Sequence, residues 1–461
     1  MRYEISQAKE LFEDQRDFFK AGQTQGYRQR RKAILSLRAS VQRFEDEILT
    51  ALEADMGKPA FEAYSSEVGM LYQEIDHTLK WLKDWMRPER PATSWLHFPS
   101  STRVTQTPKG QTLILSPWNY PFLLTMNPLL GSISAGNTAM VKLPLQTPET
   151  AKVIAQVIDD AFPREHVCAL EVSDEVIIPQ LIEGLSFDHI FFTGSPRVGR
   201  MILAAAAGQL TPVTLELGGK SPAIVDRSAD LPVAARRIIW GKAFNAGQTC
   251  IAPDHVWVHE SVYDRFIDLM KAEVNTFMRD YGGLEGFTRI IHYKHFEGLL
   301  KLLEDVTVSH GGDLDADALK LGLTLVEEPS MDSRIMNEEI FGPILPILRW
   351  TDEHDLEMKL DRNPYPLAFY LFSKDKGQEN RLLERRTFGG GCLNNCLIHF
   401  TADAPFGGVR TSGMGSYHGR YGFETFSFRK TIMRTGTWLD VPIRYAPYLD
   451  WKTRLIKRLM G

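Results

Sequence analysis

Four cysteines in 461 residues, Cys168, Cys250, Cys392 and Cys396, are too few for a disulfide framework, and no Cys/His grouping has the spacing of a structural zinc site. Cys392 and Cys396 lie four apart with no second pair to complete a metal-binding set, so no metal is expected. No stretch approaches the roughly 18 consecutive apolar residues of a membrane span, so no transmembrane anchor is expected. The start MRYEISQAKELFEDQ lacks the apolar core of a signal peptide. Together these absences point to a reducing, cytoplasmic location. There is no excess of positive charge either: 53 Lys and Arg against 58 Asp and Glu give a net charge of -5, which offers nothing to a nucleic acid. Apolar residues make up 43% and charged residues 24%, ordinary globular usage that argues against disorder. Internal repeats and low-complexity segments are missing, and the length calls for two or three domains.

What is present divides by texture. The first 87 residues read as helices: Ile34, Leu37, Val41, Phe44 and Ile48 recur at helical spacing, as do Val68, Leu71, Ile75, Leu79 and Leu82, before Pro88 and Pro91 stop the pattern. These stripes read as core faces without chemistry. The interval from Arg87 to Gly110, rich in Pro, Ser and Thr, suits an extended excursion. From Val104 onward, short apolar runs (TLILS, TAMVKL, HVCALEV, DHIFFTG, VTLEL) alternate with helical patterns, which predicts a parallel α/β sheet covered by helices. Ligands bind such sheets at the carboxyl ends of the strands, so the polar residues there are the candidates.

Cys250 closes FNAGQTC and precedes IAPD. A thiol suits covalent work on a carbonyl, because its free pKa of roughly 8.5 leaves a few per cent thiolate at neutral pH. Its small, polar neighbours leave the sulfur room, while a buried cysteine serving as a small hydrophobe is the other reading. Glu216 ends VTLEL between Leu215 and Leu217, a setting for partial burial, a raised pKa and a general base; a solvated carboxylate is the alternative. Asn119, in SPWNYP, follows another strand and is placed to donate to an oxyanion, or else to cap a turn. DHIFFTG runs into GSPRVGRMILAAAA, so Gly194 and Gly199 bracket a turn opening a helix, as at a dinucleotide site, although Pro196 stands where a middle glycine is usual. A plain strand-to-helix turn reads the same way. LELGGKS lacks the first glycine of a phosphate loop, Thr214 standing there, and GMGSYHG has one residue too many between its later glycines.

SPWNYPFLLTMNPLLGSISAGNTAMVKL, FTGSPRVG, TLELGGKSP, FNAGQTC, EEIFGPILPI and PFGGVRTSGMG, in this order from about Val68 to Ser427, resemble the signature blocks of the aldehyde dehydrogenase superfamily. CIAPDHVWV, SGMGSYHG, FETFSFRK and RYAPYLDWKTRLIKRLM resemble its class 3 branch of medium-chain and fatty aldehyde enzymes. The resemblance implies an aldehyde dehydrogenase-like α/β fold. Its parts would be a Rossmann-like NAD(P)-binding domain (1–87 and 104–218), a catalytic domain (219–410), a small β bridging arm (88–103 and 425–434) and a C-terminal tail (435–461).

It further implies that Cys250 attacks an aldehyde, that Asn119 and the Cys250 N–H hold the oxyanion, and that Glu216 activates the water that hydrolyses the thioester. Lys142 would hold the adenosine ribose, Gly194 and Ser195 the pyrophosphate, Gly199 the packing of the turn, and Glu339 and Phe341 the nicotinamide ribose. A homodimer is implied as well. Where the family commonly has a glutamate for the adenine ribose, this chain has Leu145, which removes a carboxylate that repels a 2′-phosphate and so leads to an expectation of use of both NAD and NADP. Glu149 reads instead as a first-turn helix acid.

The oxidation of apolar aldehydes to acids is therefore expected. An acylating, coenzyme A-dependent enzyme would have no need of Glu216, and a non-catalytic protein that kept the fold would have no need of the Cys250, Glu216 and Asn119 set. Trp451, Leu455, Leu459 and Met460, with Lys452, Arg454, Lys457 and Arg458, form a tail expected to pack on protein, with weak peripheral contact to anionic lipid as the alternative.

Overall fold

The computed structural model describes residues 5–170 and 177–460. A six-stranded sheet runs in the order Gly413–Met414, Val213–Leu217, His189–Gly194, Gln111–Leu115, Thr138–Lys142 and Val167–Leu170. All its pairings are parallel except that of Gly413–Met414, which is antiparallel and sets Gly413 opposite Glu216. The five strands expected from sequence are all present; of HVCALEV, residues Glu171 and Val172 lie outside the described residues. Gln111–Leu115 is buried at every position, as befits a parallel strand covered on both faces. Its Leu113 and Leu115 join Met140, Leu170, Ile190 and Leu215 from the neighbouring strands and Ile178, Leu181 and Ile202 from the covering helices in one apolar core.

A seven-stranded sheet follows, ordered Gly390–Leu393, Ala368–Phe372, Pro222–Val225, His255–His259, Ile344–Trp350, Thr324–Glu327 and Val308–Gly311, with only the last pairing antiparallel. The chain passes from one sheet to the other across Gly218–Ser221, directly after Leu217.

The N-terminal helices bury their apolar stripes. Tyr27–Arg43 hides Ala33, Ile34, Leu37 and Val41. The stripe does not continue in a single helix: Phe44 (φ -103, ψ 13) breaks it, and Glu45–Met56 begins anew and ends at Gly57 in the left-handed conformation (φ 62). Buried carboxylates secure two helix N-termini. Asp55 accepts from Glu149 N (3.2 Å) and Thr150 N (2.7 Å) at the start of Pro148–Ala161, and Glu67 accepts from Phe122 N (2.8 Å) and Leu123 N (3.2 Å) at the start of Leu123–Ala135.

Met86–Thr107 and the chain from Arg429 form a second compact unit. Strands Ser100–Pro108 and Ser427–Thr435 pair as a two-stranded sheet. The tail helix Asp450–Met460 leaves Trp451, Leu455, Ile456, Leu459 and Met460 exposed. Lys452 departs from the expected ring of solvated cations: it is buried and donates to Tyr445 O (2.7 Å) and Pro442 O (3.3 Å). Among the described residues no helix is long and apolar enough to cross a membrane.

Candidate active site

Three adjacent strands end in polar side chains that have no hydrogen-bond partner: Ser116 Oγ, Thr193 Oγ1 and both oxygens of Glu216. Buried polar atoms are nearly always satisfied, so a row of orphans at the carboxyl edge of a parallel sheet marks a place for a ligand or water. Glu216 is only 3% exposed, and burial alone pushes its carboxyl well above the usual range. An ionised carboxylate without a donor is costly in such surroundings, which favours the protonated form more than for a free carboxylate.

Cys250 follows a backbone held in an unusual form. The helix Leu231–Ala243 gives way to Asn245 (φ 53), Ala246 (φ 52) and Gly247 (φ 71), three consecutive left-handed residues. For Ala246 this conformation costs roughly 1–2 kcal/mol. Gly247 is required, because a Cβ there would strike the Gly342 carbonyl of the EEIFGP segment.

A network of amides locks this loop to the one bearing Asn119. Asn119 Nδ2 donates to Gln248 O (3.1 Å), and Asn245 Nδ2 donates to both Asn119 O (2.9 Å) and Gln248 O (3.1 Å). The Gln248 side chain is itself fixed, donating to Asn245 O (3.2 Å) and Arg289 O (3.0 Å) and accepting from Ile291 N (3.0 Å). The Tyr120 and Thr249 hydroxyls meet at 2.7 Å. Asn119 and Cys250, far apart in sequence, are thus positioned by one shared set of bonds.

The thiol's surroundings set it apart from a free cysteine. Burial pushes the Cys250 pKa up to about 12, with Glu339 and Glu216 adding to the rise, while the backbone N–H groups of Cys250 and Ile251 oppose it. Small neighbours do leave Cys250 half-buried, but two nearby carboxyls and the low-dielectric surroundings disfavour a second negative charge.

Glu339 lies beside Gly218, where its carboxylate occupies the space a Cβ would need, and burial raises its pKa to about 7 against the pull of the Gly219 N–H. Its loop is held from below. Lys220 pairs with Asp254 and donates to Ile335 O (2.8 Å) and Glu338 O (2.9 Å), and Asp254 accepts from Ile340 N (2.9 Å). The lysine of LELGGKS is therefore structural. Phe341 (φ 50) accepts at its carbonyl from His295 Nε2 (2.8 Å) and sets its ring against Trp118, the centroids 5.4 Å apart.

The remaining candidates line the sheet edge. Ser195 caps the helix Pro196–Ala207, its hydroxyl accepting from Val198 N at 3.4 Å. Pro196 fits at the first helical position, where no amide hydrogen is needed, but with Val198 N already engaged this helix end offers an anion fewer backbone donors than usual. Gly199 is buried, and a Cβ would lie 2.9 Å from Leu217 Cδ2, so glycine permits the helix to seat against the strand. Gly194 ends its strand over the Phe192 ring, and Lys142 ends the strand Thr138–Lys142, half-buried. Glu149 is a first-turn acid paired with Lys152 at 2.7 Å.

Cys250 and Glu216 share a cavity of about 470 Å³. Its walls are chiefly apolar, with Tyr120, Phe244, Ile251, Leu397, Phe406 and Tyr417 among them. Leu123, Leu124 and Phe400 line it, and so do Phe61, Ser65, Ser66 and Met70, from helices read in sequence as carrying no chemistry.

Sequence reasoning also passed over Lys58, Glu62 and Glu67. Lys58 and Glu67 form a fully buried pair (2.6 Å), with the Lys58 ammonium 4.5 Å from the Tyr120 ring centroid and 3.5 Å from Asn119 O. Three charges in GKPAFEAYSSEV, where the helical stripe passes inward, were the available signal. Lys58→Met is expected to destabilise the fold by about 3–5 kcal/mol, because Glu67 is left buried without its cation. Urea denaturation of the variant measures this.

The aldehyde dehydrogenase family matches residues 2–432, more than the stretch from Val68 to Ser427 that carries the resemblance, and the chain belongs to that family. It is 40% identical to 4,4'-diaponeurosporen-aldehyde dehydrogenase of Staphylococcus aureus over 447 residues, covering 95% of this chain and 96% of that protein. Identity to aldehyde dehydrogenase family 3 member H1 of Arabidopsis thaliana is 38% over 465 residues, covering 99% and 95%. The solved structure described as the substrate-bound state of Staphylococcus aureus AldH superposes with a TM-score of 0.94 at 38% identity, covering 98% of this chain and 99% of that one. The chain is an aldehyde dehydrogenase of the class 3 branch that uses a nicotinamide cofactor to oxidise aldehydes.

Proposed function

We propose that this enzyme converts apolar aldehydes to carboxylic acids through covalent chemistry at Cys250, with Glu216 as the base. The observation that carries this reading is the shared apolar cavity in which the Cys250 thiol and the two unpartnered Glu216 oxygens lie. The thiol of Cys250 releases its proton to solvent and the sulfur adds to the aldehyde carbon, the carbonyl π pair moving to oxygen to form a thiohemiacetal. The oxyanion is held by the Cys250 N–H and by Asn119 Nδ2, which carries two hydrogens and gives one of them to Gln248 O. A nicotinamide held at this site would supply the hydride acceptor, and the carbon that gave up hydride would stand as a thioester on the sulfur. Glu216 in its ionised form takes a proton from water, the resulting hydroxide adds to the thioester, and the acid departs as sulfur is expelled. Protein donors keep the oxyanion oriented, and apolar walls keep bulk water out.

Lys142, Gly194, Ser195, Gly199, Glu339 and Phe341 are the residues that would hold the cofactor. The orphaned hydroxyls of Ser116 and Thr193 and the glycine packing at Gly199 fit a nucleotide laid along this sheet edge. With Leu145 in place of an acidic ribose ligand, both NAD and NADP are accepted. Apolar walls favour aliphatic or aromatic aldehydes without charge. The protein works as a homodimer in the cytoplasm, and its tail packs on protein; no co-sedimentation with anionic liposomes at low salt is the corresponding result.

A kinetic panel of C2 to C16 aldehydes and benzaldehyde with each cofactor tests the reading. Turnover is expected to rise with apolar character and to proceed with both cofactors, and a preference for charged or small polar aldehydes would overturn the substrate assignment. Asn119→Ala is expected to raise the barrier by about 3 kcal/mol, roughly a hundredfold in kcat, from loss of one oxyanion donor. Steady-state kinetics at saturating cofactor read it.

A further inference from the structure

The segment that follows Gly57 has two faces with two tasks. The short helix Ala60–Ala63 runs through a π-helical turn, Tyr64–Val68, into the helix Gly69–Trp85. Such π turns insert a residue and shift the faces of a helix, and they recur at functional sites. On one face Phe61, Ser65, Ser66 and Met70 line the cavity. On the other, Glu62, 4% exposed, turns inward. Glu62 Oε1 accepts from Asn245 N at 2.6 Å and Oε2 accepts from Tyr281 O–H at 2.6 Å, so each carboxylate oxygen holds one short bond.

Asn245 opens the left-handed run that leads to Cys250 and is fully buried, so its N–H has no water to turn to. Ala246, second in the run, has a methyl side chain that makes no hydrogen bond to favour φ 52. Beside the bonds that link Asn245 to Asn119 and Gln248, the restraint on its backbone N–H comes from outside the loop, from a residue 183 positions earlier in the chain. We infer that Glu62 is a positioning residue of the active site: it holds the Asn245–Gly247 turn in its left-handed form and so fixes the direction of the Cys250 sulfur and backbone N–H. The inference rests on the reading of Cys250 as nucleophile. Loss of the carboxylate orphans the Asn245 N–H, and the turn relaxes toward ordinary backbone, carrying Cys250 with it.

The test compares Glu62→Ala, Glu62→Gln and Tyr281→Phe in the full-length enzyme. Glutamine keeps an oxygen for the Asn245 N–H and turns its amide hydrogens toward the Tyr281 hydroxyl oxygen. Carbamidomethylation of Cys250 by iodoacetamide, quantified on the peptide that carries it, reads the thiol directly, and kcat, KM and cofactor affinity are measured beside it. Glu62→Ala is expected to slow both alkylation and kcat by about ten- to a hundredfold, since small misplacements of reacting atoms cost that much. Cofactor affinity is expected to be unchanged. Glu62→Gln is expected to restore most of both rates, and Tyr281→Phe to give a smaller loss than alanine.

Wild-type alkylation and turnover in Glu62→Ala would overturn the inference. So would a Glu62→Gln protein no better than alanine, or a loss of cofactor affinity that matches the loss in kcat. If Glu62→Ala does not fold, a Glu62→Gln enzyme with wild-type rates together with a Tyr281→Phe enzyme slowed in alkylation supports it, and an unslowed Tyr281→Phe enzyme contradicts it. Alkylation does not depend on turnover, so a mistaken nucleophile assignment would show separately, as activity retained by Cys250→Ser.

Discussion

Cys250→Ser is expected to lower aldehyde-dependent NAD(P)H formation by about four orders of magnitude or more, the scale seen when a covalent nucleophile is removed from an enzyme whose other groups remain. Serine fits the space, so the loss is chemical. Its hydroxyl is far less acidic than a thiol and needs an adjacent base, and a thioester's reactivity toward water is lost with the sulfur. The site also makes a statement about pH. With the Cys250 pKa at about 12 in the unliganded enzyme, the alkylation rate is expected to climb roughly tenfold per pH unit from neutrality to pH 10 without a plateau, because the thiolate fraction does so. A plateau near pH 8 would mean that the sulfur faces a more positive field than Glu339 and Glu216 create. Wild-type turnover in the serine variant would remove Cys250 from the mechanism.

Glu216→Gln is expected to separate the two halves of the reaction. Glutamine is nearly isosteric and buries no charge, so the cavity persists and thiohemiacetal formation and hydride loss proceed. Hydrolysis then lacks its base, and steady-state kcat falls by about 10²- to 10⁴-fold while a first turnover of NAD(P)H appears as a burst. The pH profile of the wild type follows from the same burial. Burial raises the Glu216 carboxyl above its ordinary value, so the ionised base forms over a higher pH interval than a free carboxylate does, and kcat increases with pH across that interval and flattens above it. In the glutamine variant this limb disappears. Unchanged steady-state turnover would remove Glu216 from the role.

Strands and candidate polar residues were legible because a parallel sheet writes itself as short apolar runs and places its chemistry just after them. Asn119 and Glu216 are found by that rule, and Cys250 by its thiol among small residues. What escaped is what depends on distant contacts. Glu62 looks like any helix glutamate until the fold sets it under Asn245, and Lys58 and Glu67 declare their purpose only once Tyr120, Phe122 and Leu123 are packed around them. The rise of the Cys250 pKa is hidden for the same reason: burial is its main cause, the carboxyls of Glu339 and Glu216 that add to it are remote in sequence, and local composition carries no record of either. The tail showed its helix by spacing but not the inward turn of Lys452, which follows carbonyls presented by residues 442 and 445.

Intact-mass spectrometry of Glu216→Gln, quenched after mixing with a C10 aldehyde and NAD(P)+, is the most direct test of covalent catalysis at this site. The expected result is a shift by one acyl group, mapped to Cys250, formed together with the burst of NAD(P)H. A burst with no adduct on Cys250, or an acyl group carried by another residue, would contradict it.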